Sequence, residues 1–340
     1  MKAVVKYDKG ENKIAYMDFD KPEPKKDEVL IKVAYAGICG TDLKIQEEKY
    51  INYPPVVLGH EYSGIVESVG EEVKDYKPGD RVVSETAQII CGKCEYCLSG
   101  NYLMCEERRS IGYGTNGAMG DYIAVRQQIV HKIPDDVSLE EAALCEPSAV
   151  SFHAVFDYTD IKPIDTVVVF GPGTIGQIVS QIVASTGAKV LLCGMKADKF
   201  RLDIAKQVGI ETLVVDEDDI EHRVRELTDG RGTDYAFDCS GAAPAVSQCL
   251  HCLKKKGTLV QVGLTKENIS IDYGLVAMKE LVIKGAFGHI NSSWRGVLKM
   301  LENRQLNVKP LITGKYTFEN WDNGFKAARE LSCVKVLLHP

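Results

Sequence analysis

The chain has 340 residues, of which 45% are hydrophobic and 26% charged, enough for two folded domains and too apolar for a disordered protein. It carries 41 Lys and Arg against 48 Asp and Glu, a formal net charge of −7. This balance argues against a nucleic-acid partner, because polyphosphate would meet a repelling average field. The apolar runs are far shorter than the roughly 20 residues that cross a bilayer. We therefore expect a cytoplasmic protein without membrane association.

The amino-terminal part of the sequence predicts a β-rich domain. Residues 29–36 and 62–69 have the alternation of strands, and Gly and Pro residues separate them from their neighbours. Short strands of this kind are typical of a barrel.

The rhythm changes near Phe152 to alternating strands and helices, which indicates a parallel α/β sheet. Six strands complete a dinucleotide-binding fold. They are predicted at residues 166–171, 189–193, 212–215, 235–239, 258–262 and 281–285. Helices at 294–303 and 319–331 and a last strand at 334–338 follow, and we expect this tail to return to the first domain.

A glycine-rich turn follows the first of these six strands. The sequence Gly171-Pro-Gly173-Thr174-Ile175-Gly176 stands between an apolar strand and an apolar helix, the context in which G-x-G-x-x-G binds a dinucleotide. Gly171 permits the tight turn, Gly173 lets the backbone approach a pyrophosphate, and Gly176 lets helix and strand pack closely. The N–H groups at the start of the helix then face the phosphates.

The end of the next strand bears on the choice between NAD and NADP. NAD-specific sites usually place an acidic residue there for the ribose 2′-hydroxyl, but this chain has Gly194. Lys196, Lys199 and Arg201 follow and offer charge for a 2′-phosphate, whereas Asp198 offers a partner for the ribose. We therefore expect NADP to be used, alone or alongside NAD.

Four cysteines at short spacing predict a closed zinc site. Cys91, Cys94, Cys97 and Cys105 supply the four thiolates of a tetrahedral site, which leaves no position for substrate. The role of this zinc should be structural.

A second set of metal-binding residue types comes from separate segments. Cys39, the pair His60-Glu61, and Glu146 would leave a corner of a zinc site open to water or substrate. Spacing alone does not join them, since each also has an ordinary structural explanation.

Several motifs in the same order give the chain a resemblance to the zinc-containing medium-chain alcohol and polyol dehydrogenases. The motifs are Gly37-Ile-Cys39-Gly-Thr41-Asp42, Gly59-His60-Glu61-Tyr-Ser-Gly64, Gly79-Asp80-Arg81-Val82, the four-cysteine lobe, Glu146-Pro147 and the glycine turn. Residues 237–244 and 255–263 resemble in particular the arabitol-phosphate dehydrogenases of the sorbitol dehydrogenase-like branch. The resemblance implies an α/β protein in which a GroES-like β-barrel catalytic domain is joined to a Rossmann doubly wound parallel sheet.

The resemblance also implies a domain division. The catalytic domain spans residues 1–151, with the zinc lobe at about 88–108. The Rossmann domain spans 152–287, and residues 288–340 return to the catalytic domain.

The resemblance implies that Cys39 and His60 are ligands of a catalytic zinc. Glu61 and Glu146 compete as its carboxylate ligand; we favour Glu146, because the Glu-Pro pair matches the polyol branch. Cys145 is an alternative ligand, since alcohol-specific relatives have a cysteine near this position. Thr41 corresponds to the hydroxyl that accepts the substrate proton, and Asp42 is expected to orient a ligand such as His60.

On the cofactor side, the resemblance places Ser240 near the adenosine and Val262 and Gly263 beside the nicotinamide carboxamide. Arg108 and Arg109, beyond the zinc lobe, are candidates for a substrate phosphate, with ordinary surface charges as the favoured interpretation.

The expected function is zinc-dependent hydride transfer between a secondary alcohol of a polyol, or polyol phosphate, and NAD or NADP, giving the ketose. Two zinc ions per chain, one catalytic and one structural, and a homodimer or homotetramer complete the expectation. L-Threonine 3-dehydrogenase is a second enzyme candidate on the same scaffold. A zinc ribbon that binds a macromolecule without catalysis is a candidate of another class, and the acidic balance and the dinucleotide motif count against it.

Overall fold

The computed structural model describes residues 1–265 and 268–340. They form two compact units. The first contains Met1–Glu146, His289–Glu302 and Ile312–Pro340, and the second contains Pro147–Gly288 and Asn303–Leu311. Every helix among the described residues is too short or too polar to span a bilayer.

The strands are numbered in chain order. They are β1 (Lys2–Lys6), β2 (Ile14–Asp18), β3 (Glu28–Gly37), β4 (Val56–Val57), β5 (Glu61–Val69), β6 (Arg81–Ser84), β7 (Ala87–Ile89), β8 (Arg109–Ser110), β9 (Tyr122–Arg126), β10 (Val130–Lys132), β11 (Thr166–Phe170), β12 (Lys189–Gly194), β13 (Glu211–Val214), β14 (Thr233–Asp238), β15 (Leu253–Gln261), β16 (Val282–Gly285), β17 (Ile312–Thr317) and β18 (Lys335–His339).

The α-helices are numbered in the same way. They are α1 (Gly40–Gln46), α2 (Glu95–Leu98), α3 (Leu139–Ala142), α4 (Cys145–Phe156), α5 (Thr174–Ser185), α6 (Lys199–Gln207), α7 (Ile220–Leu227), α8 (Ala243–Cys252), α9 (Gly274–Met278), α10 (Asn291–Glu302) and α11 (Trp321–Arg329).

The first unit is built on a sheet in the order β10-β6-β5-β3-β18-β17, with β9 also paired to β3. All its pairs are antiparallel except β17 with β18. Val29, Ile31 and Val33 alternate along β3 and are buried in the core of this unit, as the period of a strand requires. A smaller sheet, β2-β1-β4, completes the unit's main β structure.

The second unit contains a parallel sheet in the order β13-β12-β11-β14-β15-β16. In sequence order of its own strands this is 3-2-1-4-5-6, the arrangement of a dinucleotide-binding fold. All five residues of β11 are buried, as expected for a central strand covered on both faces. The predicted fold class, a GroES-like β domain plus a Rossmann sheet, is confirmed.

The predicted element boundaries differ most at β15. The observed strand starts at Leu253, five residues before the predicted start at residue 258. In the structure Lys254 pairs with the carboxylate of Asp234 on β14, so its charge is compatible with a strand. The two carboxyl-terminal helices are shifted by two or three residues at their starts, to Asn291 and Trp321.

Candidate active site and metal centres

The four cysteines of the lobe come together as predicted. The sulfur atoms of Cys91, Cys94, Cys97 and Cys105 all lie within 4.8 Å of one another, and none of the four forms a disulfide. Zn–S bonds of about 2.3 Å in a tetrahedron separate two sulfurs by about 3.8 Å. The Sγ atoms of Cys91 and Cys97 are 3.8 Å apart, so the group has the size of a zinc site.

Backbone N–H groups donate to three of these four sulfurs. The N–H of Cys94 donates to Cys91 Sγ at 3.3 Å, that of Cys97 to Cys94 Sγ at 3.4 Å, and that of Cys91 to Cys105 Sγ at 3.4 Å. Donors from the backbone of Lys93 and Cys94 lower the pKa of the Cys91 thiol to about 6. Zinc binds the thiolate form, so the donor set fits this metal.

The catalytic group is assembled from two neighbouring strands. Donor atoms of Cys39, His60 and Glu61 lie within 4.8 Å of one another. Cys39 follows β3 and caps α1, whereas Glu61 begins β5 and pairs with Gly37 at the end of β3. A Cβ on Gly37 would stand 2.3 Å from Glu61 Oε2, so only glycine leaves room for this carboxylate.

A buried lysine that the sequence analysis missed contacts this group. Lys335 Nζ donates to Glu61 Oε2 at 2.6 Å and to the carbonyl oxygen of Ile38 at 3.0 Å. Burial alone lowers the pKa of Lys335, but the nearby charges of Glu61 and Cys39 raise it above its usual value. The signal in the sequence is a single lysine between Val334 and the apolar residues 336–338 of β18, where a buried charge needs a partner.

Buried atoms at this site are arranged for a metal. His60 Nδ1 and Asp42 Oδ1 are buried and have no hydrogen-bond partner within residues 1–265 and 268–340. The other Asp42 oxygen, Oδ2, accepts from the backbone N–H of Cys39 at 2.8 Å. Burial disfavours a charged His60, yet Cys39 and Asp42 raise its pKa well above the usual value. A cation between the Cys39 sulfur and an imidazole nitrogen would satisfy this excess of negative groups, so the residues fit a catalytic zinc ion.

Glu146 lies close to the group but outside the set whose donor atoms are within 4.8 Å of one another. Burial raises the pKa of its carboxyl group to about 7, while the charge of His60 lowers it and that of Glu61 raises it. Glu146 is the second residue of α4, next to Cys145. The Cys145 thiol is fully buried, and burial raises its pKa above the usual value.

A buried histidine contacts Glu146 from the carboxyl-terminal part of the first unit. His289 Nε2 is 3.9 Å from Glu146 Oε1 and 3.4 Å from Thr86 Oγ1. Trp294 Nε1 donates to the other ring nitrogen, Nδ1, at 2.9 Å. Because an indole N–H can only donate, Nδ1 must accept, and a neutral His289 carries its proton on Nε2, facing Thr86 and Glu146.

A second polar cluster lies deeper in the same unit. Glu85 Oε1 accepts from Asn291 Nδ2 at 2.8 Å and lies 3.0 Å from His131 Nε2. The His131 ring stacks on Trp294 at 5.7 Å between ring centroids. Trp294 is thus held between the two histidines, which fixes the donor that faces His289.

The glycine turn has the predicted structure. Gly171 has φ +101°, a left-handed conformation that favours glycine, and a Cβ there would stand 2.9 Å from the backbone nitrogen of Ser240. A Cβ on Gly176 would stand 1.9 Å from the carbonyl oxygen of Gly171. Gly173 caps α5, which begins with Thr174 and Ile175, and open space surrounds the position of its missing Cβ. The turn is thus tightly packed at Gly171 and Gly176 and open at Gly173, where a pyrophosphate can approach the backbone.

The residues after β12 show why glycine stands where an acid is usual. A Cβ on Gly194 would stand 2.6 Å from Pro172 Cγ, so the proline of the glycine turn excludes a larger side chain. Lys196 Nζ is 2.7 Å from Glu217 Oε1, and Lys199 pairs with Asp203. Both lysines are exposed, and ion pairs of this kind are weak enough to rearrange around a phosphate.

The ends of β14 and β15 are joined by Asp238, a residue that the sequence analysis did not select. Its buried carboxylate accepts from Ser240 Oγ at 2.7 Å and from the N–H of Gly241 at 3.0 Å. Its carbonyl oxygen accepts from the N–H groups of Val262 at 2.9 Å and Gly263 at 2.8 Å. Asp238 therefore fixes the backbone of three predicted cofactor-binding residues, Ser240, Val262 and Gly263.

Two family profiles match the chain. Residues 25–135 match the alcohol dehydrogenase GroES-like domain, and residues 174–303 match the zinc-binding dehydrogenase family. A sorbitol dehydrogenase of Halalkalibacterium halodurans is 40% identical and the alignment covers 100% of this chain and 99% of that protein. A D-arabitol-phosphate dehydrogenase of Enterococcus avium is 38% identical, with coverage of 99% and 97%.

Solved structures agree with this relationship. Galactitol-1-phosphate dehydrogenase from Escherichia coli superposes with a TM-score of 0.91 at 29% identity, covering 100% of both chains. A zinc-binding dehydrogenase from Sinorhizobium meliloti 1021, bound to NADP, gives a TM-score of 0.91 at 30% identity, covering 100% and 99%.

The chain therefore belongs to the zinc-containing medium-chain dehydrogenases, as an NAD(P)-dependent zinc alcohol and polyol dehydrogenase. The family predicted from the motifs is confirmed, and with it the structural four-cysteine zinc site and the catalytic site at Cys39, His60 and Glu61. Membership of an enzyme family decides against the alternative of a zinc ribbon without catalysis.

Proposed function

We propose that the protein oxidises a secondary alcohol of a polyol or polyol phosphate to the ketose, with NAD or NADP as the hydride acceptor, and catalyses the reverse reduction. The observation that carries this proposal is the buried group of Cys39, His60 and Glu61, with a second carboxylate, Glu146, close by. Relatives named for sorbitol and D-arabitol phosphate support the substrate class. The active assembly is a dimer or tetramer of this chain.

Zinc held by Cys39 and His60 would act as a Lewis acid that lowers the pKa of the substrate hydroxyl, and the bound nicotinamide would accept the hydride. We propose that the two glutamates divide the remaining work. Glu61 is tied to Lys335 through Oε2, which leaves Oε1 available as a metal ligand. Glu146, close to the same group, would be the alternative carboxylate ligand.

Glu146 also suits a role in proton transfer. Burial raises the pKa of this carboxyl group, which favours uptake of a proton. His289 presents Nε2 with its proton to this carboxylate, and so favours one orientation of the glutamate. Thr41, half-buried and two residues after Cys39, is the hydroxyl that receives the proton from the substrate.

The cofactor is bound by the second unit. The turn of Gly171, Gly173, Thr174, Ile175 and Gly176 takes the pyrophosphate at the start of α5. We propose that NADP is accepted as well as NAD, because Gly194 brings no negative charge to the 2′ position. Lys196 and Lys199 would hold the 2′-phosphate, a use supported by the relative bound to NADP.

A substrate panel tests the proposal directly. Pentitols, hexitols, their phosphates and L-threonine are each offered with NAD and with NADP, and nicotinamide absorbance is followed. We expect turnover of at least one polyol or polyol phosphate, with activity on both cofactors. Turnover of L-threonine alone, or of simple alcohols alone, would overturn the substrate class, and a Cys39→Ser variant assayed in parallel identifies any contaminating activity.

A further inference from the structure

A cavity of about 790 Å³ opens in the first unit, and nothing in the reaction described so far uses it. Its volume is in the range of small-molecule sites. Apolar, aromatic and charged side chains share its wall. Those that matter here are Tyr53, Glu106, Glu107, Arg108, Arg109 and Tyr113.

Two half-buried arginines place positive charge in the wall of this cavity. The guanidinium carbon of Arg109 stands 3.7 Å from the centroid of the Tyr53 ring, and Arg108 Nη1 donates to Ser110 Oγ at 3.2 Å. Within residues 1–265 and 268–340, Arg109 forms no ion pair. A guanidinium stacked on an aromatic ring keeps the N–H groups at its edge for a ligand in its own plane. The pair is therefore held in place for an oxygen-rich anion.

Two carboxylates also line the cavity, and they do not neutralise the arginines. Glu106 and Glu107 are exposed, so water solvates them. In the described part of the chain neither glutamate forms an ion pair with Arg108 or Arg109. The partly desolvated charges are thus the positive ones, and partial burial strengthens their attraction for an anion.

The cavity reaches the catalytic group through Tyr113. The Tyr113 ring meets the ring of His60 edge to face at 6.4 Å between centroids, and the Tyr50 ring at 5.3 Å. Burial is the main reason that the pKa of Tyr50 is raised; Arg108 opposes the shift and Cys39 adds to it. Tyr113 thus lines the cavity and also contacts His60, so the cavity wall adjoins the catalytic group.

We propose that Arg108 and Arg109 bind the phosphate of a polyol phosphate whose secondary alcohol lies at the Cys39, His60 and Glu61 group. The substrate is then a phosphomonoester of a sugar alcohol, and a free polyol is a poor substitute. Guanidinium groups suit this ligand because each offers two parallel N–H donors to phosphate oxygens. The inference rests on the proposed function and narrows its substrate class.

The test compares matched substrates, D-arabitol and D-arabitol phosphate, at saturating cofactor. Arg108→Gln and Arg109→Gln each remove one guanidinium. Each variant should lower the ratio of kcat/KM for the phosphate to kcat/KM for the free polyol by 10- to 100-fold, the usual effect of losing a charge-assisted hydrogen bond. Lys74→Gln is the control, because it removes one exposed positive charge from the same unit without lining the cavity.

A binding measurement separates this inference from the proposed function. Inorganic phosphate should bind to the zinc-loaded enzyme by titration calorimetry and compete with D-arabitol phosphate, and both effects should weaken at least tenfold in the double variant. If polyols are oxidised but the ratio and phosphate binding are unchanged in the variants, the arginine site is wrong and the proposed function stands. If no polyol or polyol phosphate is oxidised by the unmodified enzyme, both are wrong.

Discussion

The two metal centres of the first unit differ in where along the chain their ligands come from. The four-cysteine site draws all its ligands from fifteen consecutive residues, 91–105, in a loop whose backbone N–H groups already point at the sulfurs. The catalytic site joins Cys39 to His60 and Glu61 across paired strands, among buried charges such as Lys335. A closed local site stabilises the loop that contains it, whereas an open site depends on a frame that is already folded.

Removing one ligand from the open site should have the largest effect on activity. Cys39→Ser should reduce kcat by roughly 1,000-fold or more, because a bound metal contributes several kcal/mol to the chemical step. The thermal midpoint should change little, since the strands around Cys39 do not need the ion to fold. Steady-state rates, zinc analysis and thermal unfolding check the three expectations, with one of two zinc ions lost per chain.

Cys145→Ala is the matched control for that experiment. Its thiol is buried next to Glu146 and has the raised pKa of a group in apolar surroundings. We expect the variant to keep both zinc ions and most of its activity. Loss of one zinc ion in Cys145→Ala would make this residue a ligand and would contradict the carboxylate site.

Loss of a ligand from the closed site should instead lower the stability of the protein. Cys94→Ser opens the tetrahedron, and the loop then loses zinc binding that is worth on the order of 10 kcal/mol in zinc-finger peptides. We expect one zinc ion fewer, faster proteolysis within residues 91–105 and a clearly lower thermal midpoint. Lys93→Ala keeps all four thiols and should retain the zinc and the midpoint of the unmodified protein. If the Cys94→Ser protein kept the stability and the zinc content of the unmodified protein, the lobe would not depend on its metal.

The same contrast explains what could be predicted from the sequence. The cysteine spacing at 91, 94, 97 and 105 is a local pattern, so it predicted the closed site outright. The glycine turn was equally predictable, because the strand, the turn and α5 are consecutive. Cys39, His60 and Glu61 needed the resemblance to known enzymes, since strand pairing, and not spacing, brings them together.

The contacts that were missed are long-range or depend on the fold. Lys335 reaches Glu61 from 274 positions away in the chain, and no local pattern predicts that pairing. The tautomer of His289 depends on Trp294, and the loops at Ser240 and Gly263 depend on Asp238. Each is a buried polar group whose partner is defined only once the fold exists. The sequence showed the polar residue but not the partner that stabilises it.

The smallest expected effect is the energetic coupling between Lys335 and the catalytic zinc at the open site. Lys335→Met leaves the buried Glu61 carboxylate without its ammonium partner, which costs about 3–5 kcal/mol of unfolding free energy when nothing replaces it. A bound zinc ion can replace it. We therefore expect the substitution to cost that amount in a Cys39→Ser background and at least about 1 kcal/mol less in the protein that retains the catalytic zinc.

Urea unfolding of the four proteins in this cycle measures the difference without stripping the four-cysteine site. Lys315→Met on the adjacent strand β17 is the control, because Lys315 is half exposed and water screens its pair with Glu140, which should contribute little to stability in either background. Equal costs of Lys335→Met in both backgrounds would mean that Glu61 interacts with the lysine alone. The open site would then hold its metal without this carboxylate, and Glu146 would be left as the carboxylate ligand.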